Sequence, residues 1–272
     1  MPALAPAPAL RLTPGGSEIE LPSISFFGRS LAEYARFFAL DLAALKGRDV
    51  LDVAAGPSSF TTEACARKVN AVAVDPLYGC PPAELATHVR LDYERMFAQM
   101  RAKPRLFKVG APVAAAPAYP SALNPGGGGT AGPVFSPSID AAEIDRRGAA
   151  QRFLADYETQ FFRNRYVAGS LPRLPFFDGT FDVVLCAHLL FTYARRFDFD
   201  WHLAACRELV RVSADEVRLH PLCGLDGKPY AGLPRLRREL RGHGIASSVV
   251  VVDYAFFAGA NSMLVLKRAV AE

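Results

Sequence analysis

The stretch from Gly47 to Tyr78 constrains the fold of this chain more than any other part of it. It reads GRDVLDVAAGPSSFTTEACARKVNAVAVDPLY: a short apolar run, a turn of small residues, a segment with helical patterning, a second apolar run and Asp75. Strand, tight turn, helix, strand and acid in this order are typical of the first half of a nucleotide-binding βαβ unit. We therefore expect an α/β fold built on a mostly parallel sheet.

The remainder of the chain continues this alternation of strands and helices. Apolar periodicity predicts, in chain order, strand 49–54, helix 59–68, strand 71–74, helices 82–100 and 139–163, strands 165–168 and 181–187, a helix around 201–210, strand 216–220 and helix 230–242. The helix 139–163 should bury Ile144, Phe153 and Tyr157. Two last strands, 247–253 and 262–267, are joined by a link at 258–261 that is too short for a parallel crossover. An antiparallel hairpin should therefore close the sheet.

Two stretches stand outside this regular pattern. Residues 1–24 are predicted to be a flexible N-terminal tail, and an aromatic helical cap at 25–46 precedes the first strand. Residues 110–138 carry no charge and contain four consecutive glycines, so they predict a flexible insertion, with a disordered loop favoured over a functional lid. One domain should span 25–268.

Composition limits the classes of partner. A net charge of +4 over 272 residues gives no reason to expect nucleic acid or an anionic membrane. The five cysteines form no C-x-x-C pair, which argues against a disulfide framework or a zinc site. No apolar run approaches the ~20 residues of a membrane span, and the N-terminus lacks the basic start of a signal peptide. We expect a cytoplasmic protein that acts on a small molecule, and its oligomeric state is not indicated.

The first strand-to-helix turn separates two kinds of cofactor. A nicotinamide or flavin dinucleotide needs G-x-G-x-x-G, because its pyrophosphate must approach the backbone at the helix N-terminus. Here Gly56 is followed by Pro57, and the third glycine is missing. A ligand without phosphate, such as S-adenosylmethionine, needs less of that approach. Asp75 lies 23 residues after Asp52, near the ~20-residue spacing of a ribose-binding carboxylate.

At these residues the chain resembles the class I S-adenosylmethionine-dependent methyltransferases. The segment Asp52–Ser58 is similar to their motif I, usually acid-x-Gly-x-Gly-x-Gly. The segment LPFFDGTFDVV, Leu174–Val184, is similar to the LPFPDGSFDVV signature of quinone C-methyltransferase-like members with a methyltransferase-11-type domain. The resemblance covers about 49–268 outside the insertion. It implies a Rossmann-like seven-stranded sheet of order 3-2-1-4-5-7-6, with the last strand antiparallel and helices on both faces.

Carried over by position, the resemblance implies a cofactor site. Asp75 would bind the ribose, while Pro76 and Leu77 would lie near the adenine. Ser170 and Leu171 would meet the adenine edge, with Ser170 in place of the usual aspartate. The residues of motif I would border the methionine part, with Ala54 and Ser58 in place of glycines: Asp52, Ala54, Ala55, Gly56, Pro57 and Ser58.

The same resemblance places the reactive centre at the end of the fourth strand, beside Ala187 and His188. A base is needed only if the acceptor is a hydroxyl, a protonated amine or an acidic carbon. His188 is the candidate base, with a histidine that only holds the turn as the alternative. Tyr193 is a candidate donor to the acceptor, or a packing residue. Arg29 is a candidate for the cofactor carboxylate, or a surface arginine.

The acceptor itself is less defined. Aromatic residues expected on the acceptor side hint at an apolar or aromatic molecule: Phe26, Phe27, Phe191 and Tyr193. Tyr34 is a candidate to close over the cofactor, and His220 a weaker candidate to line the acceptor side. Two other functions stay open, an NAD-linked oxidoreductase on a similar fold and a non-catalytic S-adenosylmethionine-binding partner protein.

Overall fold

The computed structural model describes residues 18–109, 137–160, 162–254 and 256–269. Most of the predicted tail and insertion, residues 1–17 and 110–136, lies outside the described residues. The division of the chain into tail, cap, domain and insertion therefore stays a prediction.

One seven-stranded sheet forms the centre of the described chain. Its strands, in chain order, are β1 (Asp49–Val53), β2 (Asn70–Asp75), β3 (Tyr166–Ala168), β4 (Phe181–Ala187), β5 (Ser213–His220), β6 (Ile245–Val251) and β7 (Ser262–Arg268). The spatial order is β3-β2-β1-β4-β5-β7-β6. Strands β1 to β5 pair in parallel, and β7 runs antiparallel to both β5 and β6. The predicted fold class, the Rossmann-like sheet of methyltransferases, is confirmed.

Six helices cover the two faces of this sheet. They are α1 (Leu31–Phe37), α2 (Phe60–Ala66), α3 (Pro82–Ala102), α4 (Ile139–Gln160), α5 (Phe199–Val212) and α6 (Leu233–Gly242). Val50 and Val183 join the apolar core beneath α1 to α4, whereas Leu51 and Val184 join the core beneath α5 and α6. Central parallel strands are buried on both faces in this way. Among the described helices, none is both long and apolar enough to cross a bilayer.

Two predicted details differ from the structure. Ile144 is 75% exposed, because α4 packs through a different face, which carries Ala142, Arg146, Ala149, Phe153 and Tyr157. Strand β6 ends at Val251, so the connection to β7 runs over 252–261. It is longer than the predicted link at 258–261, although the hairpin is antiparallel as expected.

The segment before β1 docks against the turn that joins β1 to α2. A side chain at Gly28 would place its Cβ 2.1 Å from the Pro57 carbonyl oxygen, so only glycine allows this approach. The carbonyl oxygen of Arg29 accepts hydrogen bonds from Ser59 N (3.1 Å) and Ser58 Oγ (2.9 Å). Within the predicted cap at 25–46, only α1 is α-helical.

This contact predicts a strong effect of a single methyl group. Gly28→Ala should lower the free energy of unfolding by about 1–3 kcal/mol or more, because backbone atoms must move to admit the new Cβ. Gly242→Ala is the matched control, since Gly242 is the last residue of α6 and a Cβ there meets nothing within 4 Å. Urea unfolding followed by circular dichroism measures both. Equal midpoints for Gly28→Ala and the wild type would contradict the docking.

Candidate functional site

A cavity of about 1040 Å³ lies at the carboxyl ends of the parallel strands. Ala54 after β1, Asp75 at the end of β2, Gly169 after β3 and Ala187 at the end of β4 all line it. Open α/β sheets place their ligands at this edge. The volume is at the upper end of the ~300–1,000 Å³ range of small-molecule sites, so the cavity has room for two molecules.

The structure brings most of the predicted site residues together around this cavity. Those that line it are Arg29, Ala54, Gly56, Asp75, Pro76, Leu77, Ser170, Leu171, Ala187, His188 and Tyr193. Four residues predicted to border the methionine part of the cofactor are buried and do not line it: Asp52, Ala55, Pro57 and Ser58. Motif I is therefore split, and its Val53, Ala54 and Gly56 line the cavity. The roles of all these residues stay predictions.

Backbone N–H groups donate hydrogen bonds to both carboxylate oxygens of Asp75. Gly56 N donates to Oδ2 at 3.1 Å and Leu77 N donates to Oδ1 at 3.0 Å. The side chain is 7% exposed, and burial raises its pKa to about 6, an effect that the two N–H donors oppose. Each oxygen keeps a second lone pair, so the carboxylate can accept further hydrogen bonds from a ligand.

Unusual backbone conformations occur where two neighbouring strands meet the cavity. Ala54, just after β1, has φ +55°, and His188, just after β4, has φ +51°. Side-chain-bearing residues seldom adopt this left-handed region, and such strain concentrates at functional sites. Alanine therefore occupies at position 54 a conformation that glycine would adopt more readily.

Beyond Gly56, the β1–α2 turn is covered by the chain's own cap segment. Gly28 lies against Pro57. Ser59 N donates to the Arg29 carbonyl, and Phe60 N donates to Ser58 Oγ at 3.1 Å. These backbone N–H groups at the start of α2 are therefore already used.

The Asp52 side chain is buried next to the β1–α2 turn and forms a hydrogen bond with Tyr34 of α1. Its side chain is fully buried, and Tyr34 donates its hydroxyl hydrogen to Asp52 Oδ1 at 3.0 Å. Burial raises the pKa of Asp52 well above its usual value. Tyr34 stacks on Phe60 with ring centroids 4.6 Å apart and does not line the cavity. The suggestion that Tyr34 closes over a cofactor was wrong.

A buried charge cluster forms the wall behind Arg29. Arg146 Nη2 lies 2.6 Å from Glu33 Oε1, and both side chains are almost fully buried. Tyr254 donates its hydroxyl to the same Glu33 oxygen at 3.2 Å, and Arg29 Nε lies 3.6 Å from it. Two guanidinium groups therefore share one carboxylate. The cluster carries an excess positive charge where Arg29 and Tyr254 line the cavity.

His188 lines the cavity directly after β4. Its backbone N–H donates to the His220 carbonyl at 2.6 Å, and its ring packs edge-on against Phe37. Burial lowers the pKa of His188 well below 6.5, as do the neighbouring Arg29, His220 and Arg146. The ring is therefore neutral at physiological pH. Within the described part of the chain, its buried Nε2 has no hydrogen-bond partner.

Several expectations about the acceptor side were wrong. Phe191 is 1% exposed and packs against His202 and Tyr230, on the other core. His220 is buried against Phe37, its Nε2 is 3.0 Å from the Ala260 carbonyl oxygen, and it does not line the cavity. Phe191 follows β4 and His220 ends β5, both at the expected edge of the sheet, but neither side chain lines the cavity.

Sequence reasoning also missed part of the lining. The β6–β7 connection contributes Tyr254, Phe256 and Phe257, and the residues before the cap contribute 19 and 22–24. The aromatic residues after β6 were the available signal, but they lay between the predicted strand 247–253 and the predicted link 258–261 and were given no role. Among the described residues, no three His, Cys, Asp or Glu side chains converge as metal ligands do.

Known proteins resemble this chain only weakly in sequence and in structure. No protein-family model matches the chain. An uncharacterized protein of Methanocaldococcus jannaschii is 26% identical over 250 residues, which cover 92% of this chain and 99% of that protein. Magnesium protoporphyrin IX methyltransferase of Synechocystis, solved with bound S-adenosylmethionine, is 13% identical with a TM-score of 0.41, over 84% of this chain and 74% of that one.

Two further solved structures show the same degree of similarity. A putative S-adenosyl-L-methionine-dependent methyltransferase of Methanococcus maripaludis is 11% identical, with a TM-score of 0.40 over 89% of this chain and 91% of that one. The 1,6-didemethyltoxoflavin-N1-methyltransferase of Burkholderia thailandensis is 14% identical, with a TM-score of 0.40 over 84% and 76%. These structural neighbours are S-adenosylmethionine-dependent methyltransferases.

The charge cluster behind Arg29 predicts a large effect on stability. Glu33→Gln should lower the free energy of unfolding by about 3–5 kcal/mol, because it leaves Arg146 buried without a carboxylate. Glu94→Gln is the control, since the Arg90–Glu94 pair is 60% and 54% exposed and such surface changes stay within about 0.5 kcal/mol. Denaturant titration measures both. Similar losses in the two variants would show that Glu33 does not hold the cluster.

Proposed function

We propose that this protein transfers a methyl group from S-adenosylmethionine to a small-molecule acceptor. The observation that carries the proposal is Asp75, at the end of β2 in a sheet of methyltransferase order, facing the cavity. Gly56 N and Leu77 N orient its carboxylate, and the free lone pairs suit the two adjacent hydroxyls of a ribose. The residues present therefore fit the adenosine part of this cofactor.

The neighbouring lining fits the other parts of the cofactor. Pro76, Leu77 and Leu171 offer apolar contact for the adenine, with Ser170 at its edge. Arg29 would hold the cofactor carboxylate, and the excess positive charge of its cluster with Arg146 supports this.

The structure disfavours the rival dinucleotide cofactor. A pyrophosphate needs free backbone N–H groups at the first helix N-terminus. In this chain Ser59 N and Phe60 N already have acceptors, and Gly28 lies against the turn at Pro57. Part of the surface that a pyrophosphate requires is therefore covered by the cap segment.

S-adenosylmethionine, when bound, supplies a methyl group on a positively charged sulfur. The chain's own part is alignment and exclusion of water. Residues 19 and 22–27 and the β6–β7 connection wall the cavity, and His188 is neutral and can accept a proton. Tyr193 contacts the cavity, while its oxygen accepts a hydrogen bond from Ser25 N at 3.1 Å.

The finer resemblance to quinone C-methyltransferase-like members does not define the acceptor. The signature segment Leu174–Val184 ends inside β4 and contacts α5. Gly179 N donates a hydrogen bond to the Arg211 carbonyl oxygen, and Asp178 forms an ion pair with Arg211 at 2.6 Å. None of Leu174–Val184 lines the cavity. The signature thus supports packing of the sheet against α5. A cytoplasmic location and the lack of nucleic-acid or membrane partners remain part of the proposal.

Cofactor titration tests the proposal directly. Calorimetry should detect binding of S-adenosylmethionine and not of NADH. Asp75→Asn should weaken binding by about tenfold or more, because it removes a charge-assisted acceptor. Since the pKa of Asp75 is about 6, its carboxylate is ionised above that pH, and wild-type affinity should fall as the pH drops through 6.

The control for this experiment is Asp178→Asn, an exposed carboxylate away from the cavity, which should bind like the wild type. Tight NADH binding, or no S-adenosylmethionine binding, would contradict the proposed function. S-adenosylhomocysteine carried through purification would distinguish an enzyme from a non-catalytic binding protein.

A second prediction concerns His188 as the base. His188→Ala should lower turnover by ~10²-fold or more, with cofactor affinity kept within a few-fold, on an acceptor found by a mass-shift screen. Because the pKa of His188 is lowered below 6.5, the imidazole stays unprotonated as the pH falls through 6.5. The loss of turnover at acidic pH should therefore begin below pH 6.5. His243→Ala, at the exposed end of α6, is the control. Unchanged turnover in His188→Ala would remove it from the mechanism.

A further inference from the structure

The cavity has an apolar part that the predicted cofactor residues do not form. Phe107 lies between Phe256 and Phe257, with ring centroids 5.3 and 5.4 Å apart. Methionines 96 and 100 of α3, Ile19 and Leu225 also line the cavity. These residues come from segments outside β1, β2 and β3 and the turns that follow them. They form a wall suited to a flat, apolar ring system.

Two polar atoms without hydrogen-bond partners belong to residues that line the same cavity. Within the described residues, His188 Nε2 and Thr192 Oγ1 are buried and have no hydrogen-bond partner, and both residues line the cavity. Leaving a buried polar atom unpaired costs about 1–3 kcal/mol. Such atoms are common where a ligand completes the hydrogen bonds.

The charges around these atoms indicate which polar group the methyl acceptor carries. Arg29 and Arg146, which share the carboxylate of Glu33, both lower the pKa of His188, so the charge that acts on its ring is positive. A positive field disfavours an ammonium acceptor and stabilises negative charge that develops on an oxygen. A carboxylate acceptor is already deprotonated, so its methylation would need no base and would leave His188 without a proton to take up.

We infer that the acceptor is an apolar ring compound with one hydroxyl group, and that its oxygen is methylated. This inference rests on the proposed function. Thr192 Oγ1 hydrogen-bonds the hydroxyl, and the ring lies against Phe107, Phe256 and Phe257. The O–H bond breaks and its proton passes to His188 Nε2. S-adenosylmethionine, when bound, would supply the methyl group: its methyl–sulfur bond would break as the oxygen–methyl bond forms, leaving a neutral thioether and a methyl ether.

Three probes that share one ring system test the choice of acceptor. Protein saturated with S-adenosylhomocysteine is titrated calorimetrically with 2-naphthol, 2-naphthylamine and 2-naphthoate. We expect 2-naphthol to bind at least about tenfold more tightly than the other two. With S-adenosylmethionine it should give 2-methoxynaphthalene, detected by mass spectrometry. Equal or tighter binding of the amine or the carboxylate, or no binding of 2-naphthol, overturns the inference.

Variants at Thr192 test the assigned contact. Thr192→Val should raise the Kd of 2-naphthol about tenfold, because it removes one hydrogen bond from the bound state. It should leave the Kd of S-adenosylhomocysteine unchanged, and Thr192→Ser should restore 2-naphthol binding. Thr61→Val is the matched control, since Thr61 also has a buried, unpartnered hydroxyl but does not line the cavity. Equal effects of the two valine variants overturn the role of Thr192.

The outcomes separate this inference from the proposed function. If the wild-type protein binds neither S-adenosylmethionine nor S-adenosylhomocysteine, the proposed function and the inference are both wrong. Normal cofactor binding without a preference for 2-naphthol would overturn the inference alone.

Discussion

The contact between Gly28 and the β1–α2 turn is the constraint on which the site depends. Backbone meets backbone there, and a Cβ would approach the Pro57 oxygen to 2.1 Å. This contact sets the position of α1, which brings Tyr34 to Asp52 and Glu33 to Arg146. It covers the turn beyond Gly56, while Ala54 and Gly56 line the cavity. One close approach thus organises both the core and the cofactor side.

Three buried carboxylates lie in or next to the cap segment: Glu33, Asp52 and Asp75. Glu33 holds two arginines, Asp52 is capped by a tyrosine hydroxyl, and Asp75 accepts two backbone N–H groups. Each arrangement offsets part of the cost of burying a charge. The charged groups differ in whether a ligand can contact them: Asp75 and Arg29 line the cavity, whereas Asp52 does not. The two available groups have opposite charge, which suits a ligand with a ribose at one end and a carboxylate at the other.

The two parts of the cavity have different origins in the chain. The part proposed to hold the cofactor comes from short turns directly after β1, β2 and β3, so local motifs predicted much of it. The part proposed to hold the acceptor combines α3, Phe107 and the connection after β6. Thr192 and Phe257 belong to no motif, and the structure alone brings them to one cavity. Sequence reasoning placed Phe191 and His220 there because they follow the right strands, but it could not tell which way each side chain points.

The sequence by itself determined the sheet. Apolar runs of strand length, separated by helical periodicity, predicted the strands, and the resemblance implied their order. The short link before β7 predicted its antiparallel direction, even though the link is longer than expected. Spacing alone picked out Asp75. Tertiary structure decided which side of the β1–α2 turn is open, and it paired Glu33 with Arg146 across 113 residues. The physical reason is that periodicity reports which residues are buried, whereas contacts between distant segments depend on how those segments pack.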